Sequence, residues 1–538
     1  MKTRFRLLAL ATALMLALSA CGSQGAQDPQ DQESYGELPG QELGIGDAED
    51  SVFSLNYNSS ASLNPYATND MDNLLISQLV CENVFELDDN YNLTSRIIAD
   101  YSCSNGTYWT FTVNEGIKMH DGSTLTAYDV AYSISLARRT SRYSGRFSCM
   151  YGASASSDTT FHISTTKANM LLPYLLTVPV IKDGSANQTR PVSSGPYMYV
   201  EGADYVEAFS DYGESLPVDR IYLKEYTGAE NIITAFEDSY IDLVINDTSS
   251  SANLGYGGNN ETRYYATTNM HYIGVNMNSE FLANQNIRYA LALAVDRDYA
   301  ASSLMQGGAV ASCLPISPMS PLYDDSVADE LEYNMVLCQQ MLANAGLSDM
   351  DGDSMLEYVS YSVMHDAELD LIVCGESADK GDVCNKLASD LASVGVRVNV
   401  RELSWSDYQA ALADMDGDGA PDGDFDLYYA EVKLGADFDL SALLTVDGSL
   451  NYGGITDENY ATYINNFLAA GDLERESACA EMLRYIAINT PIIPVCFERQ
   501  EVITHRNVIT GMEVTSSNVF YNITDWTIRF SDEEGQSQ

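Results

Sequence analysis

The chain has 538 residues, 45% of them hydrophobic, with 77 acidic against 27 basic residues and a formal net charge of −50. A single core rarely grows past about 250–300 residues, so two large lobes are expected. A surface this negative repels phosphate backbones and anionic lipid, which excludes nucleic-acid binding and electrostatic docking on a membrane.

The N-terminus begins with the basic residues Lys2, Arg4 and Arg6, followed by an apolar run from Leu7 to Leu18 that is too short to span a bilayer. Leu18-Ser19-Ala20-Cys21 then resembles a bacterial lipobox, which implies cleavage after residue 20 and a diacylglycerol on the Cys21 thiol. Residues 22–50 are rich in Gly, Gln, Asp, Glu and Pro and read as a disordered tether. Flexible-chain scaling gives it a reach of roughly 30 Å. No other stretch is long and apolar enough to read as a membrane span.

Beyond the tether, short β-like runs alternate with amphipathic helices, which predicts a mixed α/β protein. Val52–Tyr57 reads as an opening strand and Tyr108–Val113 as a second. Thr126 to Arg139 reads as a helix, with Thr126 and Asp129 spaced as a capping box and Val130, Ile134 and Ala137 as its buried stripe. Arg138 and Arg139 suit the negative end of that helix. A second helix is expected from Asn284 to Met305, closed by Gly307-Gly308, and a third from Leu331 to Ala345, closed by Gly346. Trp405 and Tyr408 follow a strand-like run at Val396–Glu402; they are candidates for a cleft wall and equally fit ordinary packing. A fourth helix covers Glu474–Ile488 and stops before Pro491.

Two acidic runs have oxygen donors at alternating positions: Asp349, Asp351, Asp353 and Glu357, and then Asp414, Asp416, Asp418 and Asp422. Such spacing suits calcium, but the twelfth position of each run is Ser360 or Phe425 instead of Glu, so solvated turns are the expected reading and no metal is assigned. Nine cysteines remain after Cys21, an odd number with no Cys-x-x-Cys pair, and no disulfide is assigned. The five histidines are scattered without metal-ligand spacing, and no G-x-S-x-G, H-E-x-x-H, Walker or G-x-G-x-x-G motif occurs. An enzyme is therefore not expected, nor a cofactor.

Eight further segments, in one order, resemble a known family. They are Ser62–Pro65, Val84–Leu87, Thr110–Gly122, Leu125–Val130, Ser194–Tyr197, Gly274–Asn278 with Asn286–Leu291 and Ala294–Arg297, Ala345–Asp353, and Pro491–Val495. The pattern is similar to the extracytoplasmic solute-binding proteins of family 5, which include the oligopeptide-, dipeptide- and nickel-binding proteins of ABC transporters.

That resemblance implies an α/β, two-lobed periplasmic-binding-protein-like fold of the large class, with an extra subdomain in lobe 1 and two crossovers between lobes. Lobe 1 would comprise residues 48–268 and 504–532, and lobe 2 residues 269–503, with crossovers near Asn269–Ile273 and Val495–Ile503. The implied function is capture of short peptides or a similar small polar solute in an interlobe cleft, with delivery to ABC permease subunits by a monomer anchored through Cys21 on the outer face of the cell membrane. A nickel-chelate or sugar receptor, or an adhesion or sensing lipoprotein on the same fold, are the alternatives. In peptide-binding members an Asp in a W-x-A-D-Y segment pairs with the ligand ammonium. Asp437 matches that Asp, Phe438 stands for the Tyr, and the Trp is missing. Tyr197 and Trp405 complete the expected ligand-binding set.

Overall fold

The computed structural model describes residues 52–246, 255–257, 260–414 and 421–530. The expected signal segment 1–20, lipidated Cys21 and tether lie outside the described residues, as do Asp416 and Asp418 of the second acidic run.

Two long strands dominate the architecture. The first connecting strand, Asn260–Val275, and the second, Ile492–His505, pair antiparallel along nearly their whole length. The pairing shifts register between Ala266 and Met270 and again between His271 and Tyr272. On one side of this pair the sheet continues through Leu427–Lys433, Glu368–Cys374 and Arg397–Leu403. On the other side it continues through Leu243–Asn246, Phe53–Asn56, Arg220–Lys224, Tyr205–Ala208 and Tyr197–Tyr199. With the short strand Ala309–Ala311 paired beside Ile492–His505, one 11-stranded sheet runs through both lobes.

Each lobe has its own apolar core. The first packs Phe53, Leu55, Ile76, Tyr197, Val206 and Ile221 with the returning residues Val519, Phe520 and Trp526. The second packs Ile287, Leu291, Leu371, Leu427, Phe467 and Leu483. A third core belongs to an extra unit, where the four-stranded sheet Ile98–Ser104, Tyr108–Val113, Thr160–Thr165 and Met150–Ala155 lies against the helix Ala127–Ala137.

Local chemistry explains the elements. The helix Ala127–Ala137 carries the expected capping box, with Asp129 Oδ2 accepting from the Thr126 backbone N–H at 2.8 Å. The expected helix from Asn284 to Met305 starts on the Asn284 cap but is interrupted. It runs from Gln285 to Leu293, and Asp296 then caps a new turn that widens into a π-helix over Ala300–Leu304. The break seats Arg297, fully enclosed, on the carbonyls of Pro494, Ala292 and Leu331. Ser194-Gly195 passes so close to the helix Met71–Val80 that a Cβ on Gly195 would lie 2.5 Å from the Val80 carbonyl oxygen. The His120 ring meets the Gly195 carbonyl at 3.0 Å, joining two of the segments that carry the family resemblance. The nine described cysteines are all free thiols.

Burial holds two carboxyls far from their ordinary titration. Desolvation raises Glu86 to about 7 and Asp242 to about 7, against the hydrogen bonds each accepts. Between the unfolded values near 4 and about pH 7 the folded state therefore retains protons that the unfolded chain has released, and stability falls as pH rises. Desolvation acts the opposite way on His120, pulling it down to about 4, so its contribution rises with pH only up to about 6.5. From there to about pH 7 the raised carboxyls set the slope, and Lys433, which desolvation lowers to about 8, adds stability only as pH rises past that value. Thermal melts are expected to show a falling Tm from pH 6 to pH 8, with a shallower slope in Asp242→Asn; a Tm that rises over that span would contradict this account.

Candidate functional site

A cavity of about 280 Å³ lies between the lobes. Its first-lobe wall is the helix Met71–Val80, whose N-terminus is capped by Asp70; Met71, Leu74, Leu75 and Gln78 face inward at helical spacing. Its floor is the pair of connecting strands. Because side chains alternate along a strand, Tyr265, Thr267 and Asn269 face the cavity while Tyr264 and Ala266 border a groove on the opposite side. The turn Lys433–Ala436, which leaves the second-lobe strand Leu427–Lys433, closes the far wall.

Three cations converge here. Arg142 and Arg146 come from the short helical turns after Arg139, and Lys433 ends its strand across the cavity. Arg146 donates to Thr177 Oγ1 at 3.0 Å and lies over the Tyr143 ring at 5.5 Å. None of the three is ion-paired among the described residues. Loss of water inside the cleft, then the charges of Arg146 and Arg142, pulls the Lys433 ammonium down to about 8. In a chain with only 27 basic residues, this concentration of unpaired positive charge suits an anionic group on a guest.

Asp437 stands just behind the cavity wall. It is 3% exposed, and its Oδ2 accepts from Asn169 Nδ2 of the extra unit at 2.8 Å. Burial, and then the charge of Asp439, raises its carboxyl above the ordinary range; the Asn169 hydrogen bond acts against that rise. The side chain fits only because residue 435 is glycine: a Cβ there would sit 2.4 Å from Asp437 Oδ1. Phe438 turns the chain with a left-handed φ of 50° and packs against Tyr91, a cavity-lining ring, at 5.5 Å. Beside them Lys167 donates to Asp439 Oδ2 at 2.7 Å, so this turn fastens the two lobes together.

The other expected contacts lie elsewhere. Tyr197 is fully buried in the first-lobe core, and its hydroxyl donates to the Val218 carbonyl at 3.0 Å. Trp405 is 40% exposed and stacks on Tyr408; neither borders the cavity. The carboxylates of Asp349, Asp351, Asp353 and Glu357 do come together, but Asp349 accepts from Gly352 N–H and Glu357 from Met350 N–H, as turn-capping groups do. The cavity cations are not among the candidate residues that the sequence singles out. The signal available was Arg138, Arg139, Arg142 and Arg146 within nine residues of a chain otherwise short of basic groups.

A sequence model of the bacterial extracellular solute-binding proteins, family 5, matches residues 98–448. The oligopeptide-binding protein AppA of Bacillus subtilis (strain 168) is 23% identical over 557 residues, covering 98% of this chain and 98% of that protein. Its structure in complex with a nonapeptide superposes with a TM-score of 0.56 at 19% identity, over 89% of this chain and 98% of that one. The structure of a nickel ABC transporter protein from Bacillus halodurans superposes with a TM-score of 0.70 at 18% identity, over 87% and 98%.

Replacing Asn169 by Ala would leave Asp437 buried without its side-chain donor. This variant is expected to lose about 1–3 kcal/mol of stability at pH 8 and less at pH 5, where the carboxyl takes up a proton. Denaturant melts at the two pH values measure this; an equal loss at both would contradict an ionised Asp437.

Proposed function

The chain belongs to the bacterial extracellular solute-binding proteins of family 5, and on that premise we propose that it captures a short peptide, or a similar small solute bearing a carboxylate, between its lobes and delivers it to an ABC permease. The observation that carries this reading is the cluster of Arg142, Arg146 and Lys433 in the interlobe cavity. A carboxylate leaving water needs charged or hydrogen-bonding partners to offset its desolvation, and three cations without ion-pair partners offer them.

Asp437, behind the same wall, is the acceptor for the ammonium at the other end of a zwitterion. Asn169 holds it in the closed arrangement, so a peptide reaching it exchanges one donor for another as the lobes close. In this reading residues 48–268 and 504–532 form one lobe and residues 269–503 the other. Lipid on Cys21 would keep the body at the outer face of the membrane. No helix among the described residues is long and apolar enough to cross a membrane. The same cations also suit a metal chelate whose ligands carry carboxylates, which is the second reading; the structural likeness to the nickel transporter protein supports it.

A short-peptide library tested by thermal shift and calorimetry addresses both. Amidating the C-terminus of a bound peptide, or replacing Arg146 by Ala, is expected to weaken binding at least tenfold, about 1.4 kcal/mol or more. N-acetylation and Asp437→Asn are expected to act at the opposite end. Affinity unchanged by amidation would remove the carboxylate from this account.

A further inference from the structure

The connecting strands carry a second cluster that the capture of a solute does not use. His271 on the first connecting strand, Glu498 on the second and Glu431 on the neighbouring strand Leu427–Lys433 point to one spot. His271 Nε2 lies 2.8 Å from Glu498 Oε1 and 3.3 Å from Glu431 Oε2, and one donor atom from each residue falls within 4.8 Å of the others. His271 is 3% exposed, and its Nδ1 meets the buried Tyr429 hydroxyl at 3.0 Å. Asn269 Nδ2 donates to Glu498 Oε2 at 2.6 Å, and Lys380 Nζ to Glu431 Oε1 at 2.6 Å. The cluster opens on a separate cavity of about 200 Å³, also bordered by Met305, Ser377 and Asp379.

We propose that His271, Glu431 and Glu498 form a binding site for a divalent transition-metal ion, with zinc the first candidate, at the point where the two connecting strands shift register. One imidazole and two carboxylates make a borderline donor set that suits zinc and neighbouring metals over calcium or magnesium. In the tautomer whose Nδ1–H donates to the Tyr429 hydroxyl, an ion takes the Nε2 lone pair in place of the present contacts with the two carboxylates, and Asn269 orients Glu498 in the way outer partners orient metal ligands. His271 and Glu431 are direct partners across neighbouring strands, and Glu498 is held by its pairing with Ala309, which fixes their spacing. The adjoining cavity leaves room for water or an exogenous group at the fourth position. Lys380 is the built-in competitor: its ammonium neutralises Glu431 and must swing away as the ion enters.

Glu498 also borders the interlobe cavity, so the two sites adjoin, and the test of the metal site therefore contains no peptide. The full chain, stripped with a chelator, is titrated with zinc against a chromophoric competitor and by calorimetry. One ion per chain at micromolar zinc or tighter is expected. Binding should weaken at least about tenfold in His271→Ala and in Glu498→Gln, and strengthen severalfold in Lys380→Met. Circular dichroism and melting of the stripped variants verify that they fold. No saturable binding to the stripped wild-type chain would overturn the proposal. So would binding unchanged by His271→Ala in a folded variant, or binding abolished by Asp349→Asn, which would place the ion in the acidic turn.

Discussion

The antiparallel pairing of Asn260–Val275 with Ile492–His505 is the constraint on which the rest of the molecule hangs. It carries one sheet from lobe to lobe, so each lobe's core is built on an end of the same two strands. Regular pairing alone would make a stiff beam. The register shifts near Ala266–Met270 and His271–Tyr272 introduce local twist and bend, as bulges do. Strand alternation does the rest: it sends one set of side chains to the interlobe cavity and the other set to the reverse face.

Electrostatics divides the molecule in a second way. The net charge of −50 is repulsive to an anionic solute at long range. Screening at physiological salt confines that repulsion to about 8 Å, so the cations of the cavity act on a guest that has already arrived. Some carboxylates elsewhere are paired locally. Glu82 is bidentate with Arg96 at 2.9 Å, and Lys167 and Lys380 pair with Asp439 and Glu431. Arg142, Arg146 and Lys433 gather at one cavity without a direct ion pair among the described residues, with Glu498 as an acidic group on the same lining. Behind them Asp437, held by Asn169, gives the same cleft an opposite pole.

Much of the fold was legible because its signals are local. Tyr108–Val113 forms the strand that its alternation announces, and the capping box at Thr126 and Asp129 starts the helix where it stands. Helices expected to end near Gly346 and Pro491 do so, since those residues break the backbone pattern within a turn. The helix after Asn284 was overextended because apolar periodicity persists through Ala300. Asp296, capping a new turn, and Arg297, seated on carbonyls from distant segments, interrupt it there, and the second of these contacts has no local signature.

By itself the sequence determined the α/β class, the family pattern, the strands and helices with strong caps or breakers, and the sign of the surface, all of which follow from neighbouring residues or from summed composition. Only the tertiary structure decided which groups meet. Tyr197, inside a turn that resembles a family motif, goes to the core, while Arg142 and Arg146 reach the cavity beside Lys433, nearly 300 residues away in sequence. His271, Glu431 and Glu498 lie on three separate strands and become neighbours only through sheet register. Register is set by long-range pairing and core packing, and no spacing along the chain encodes it.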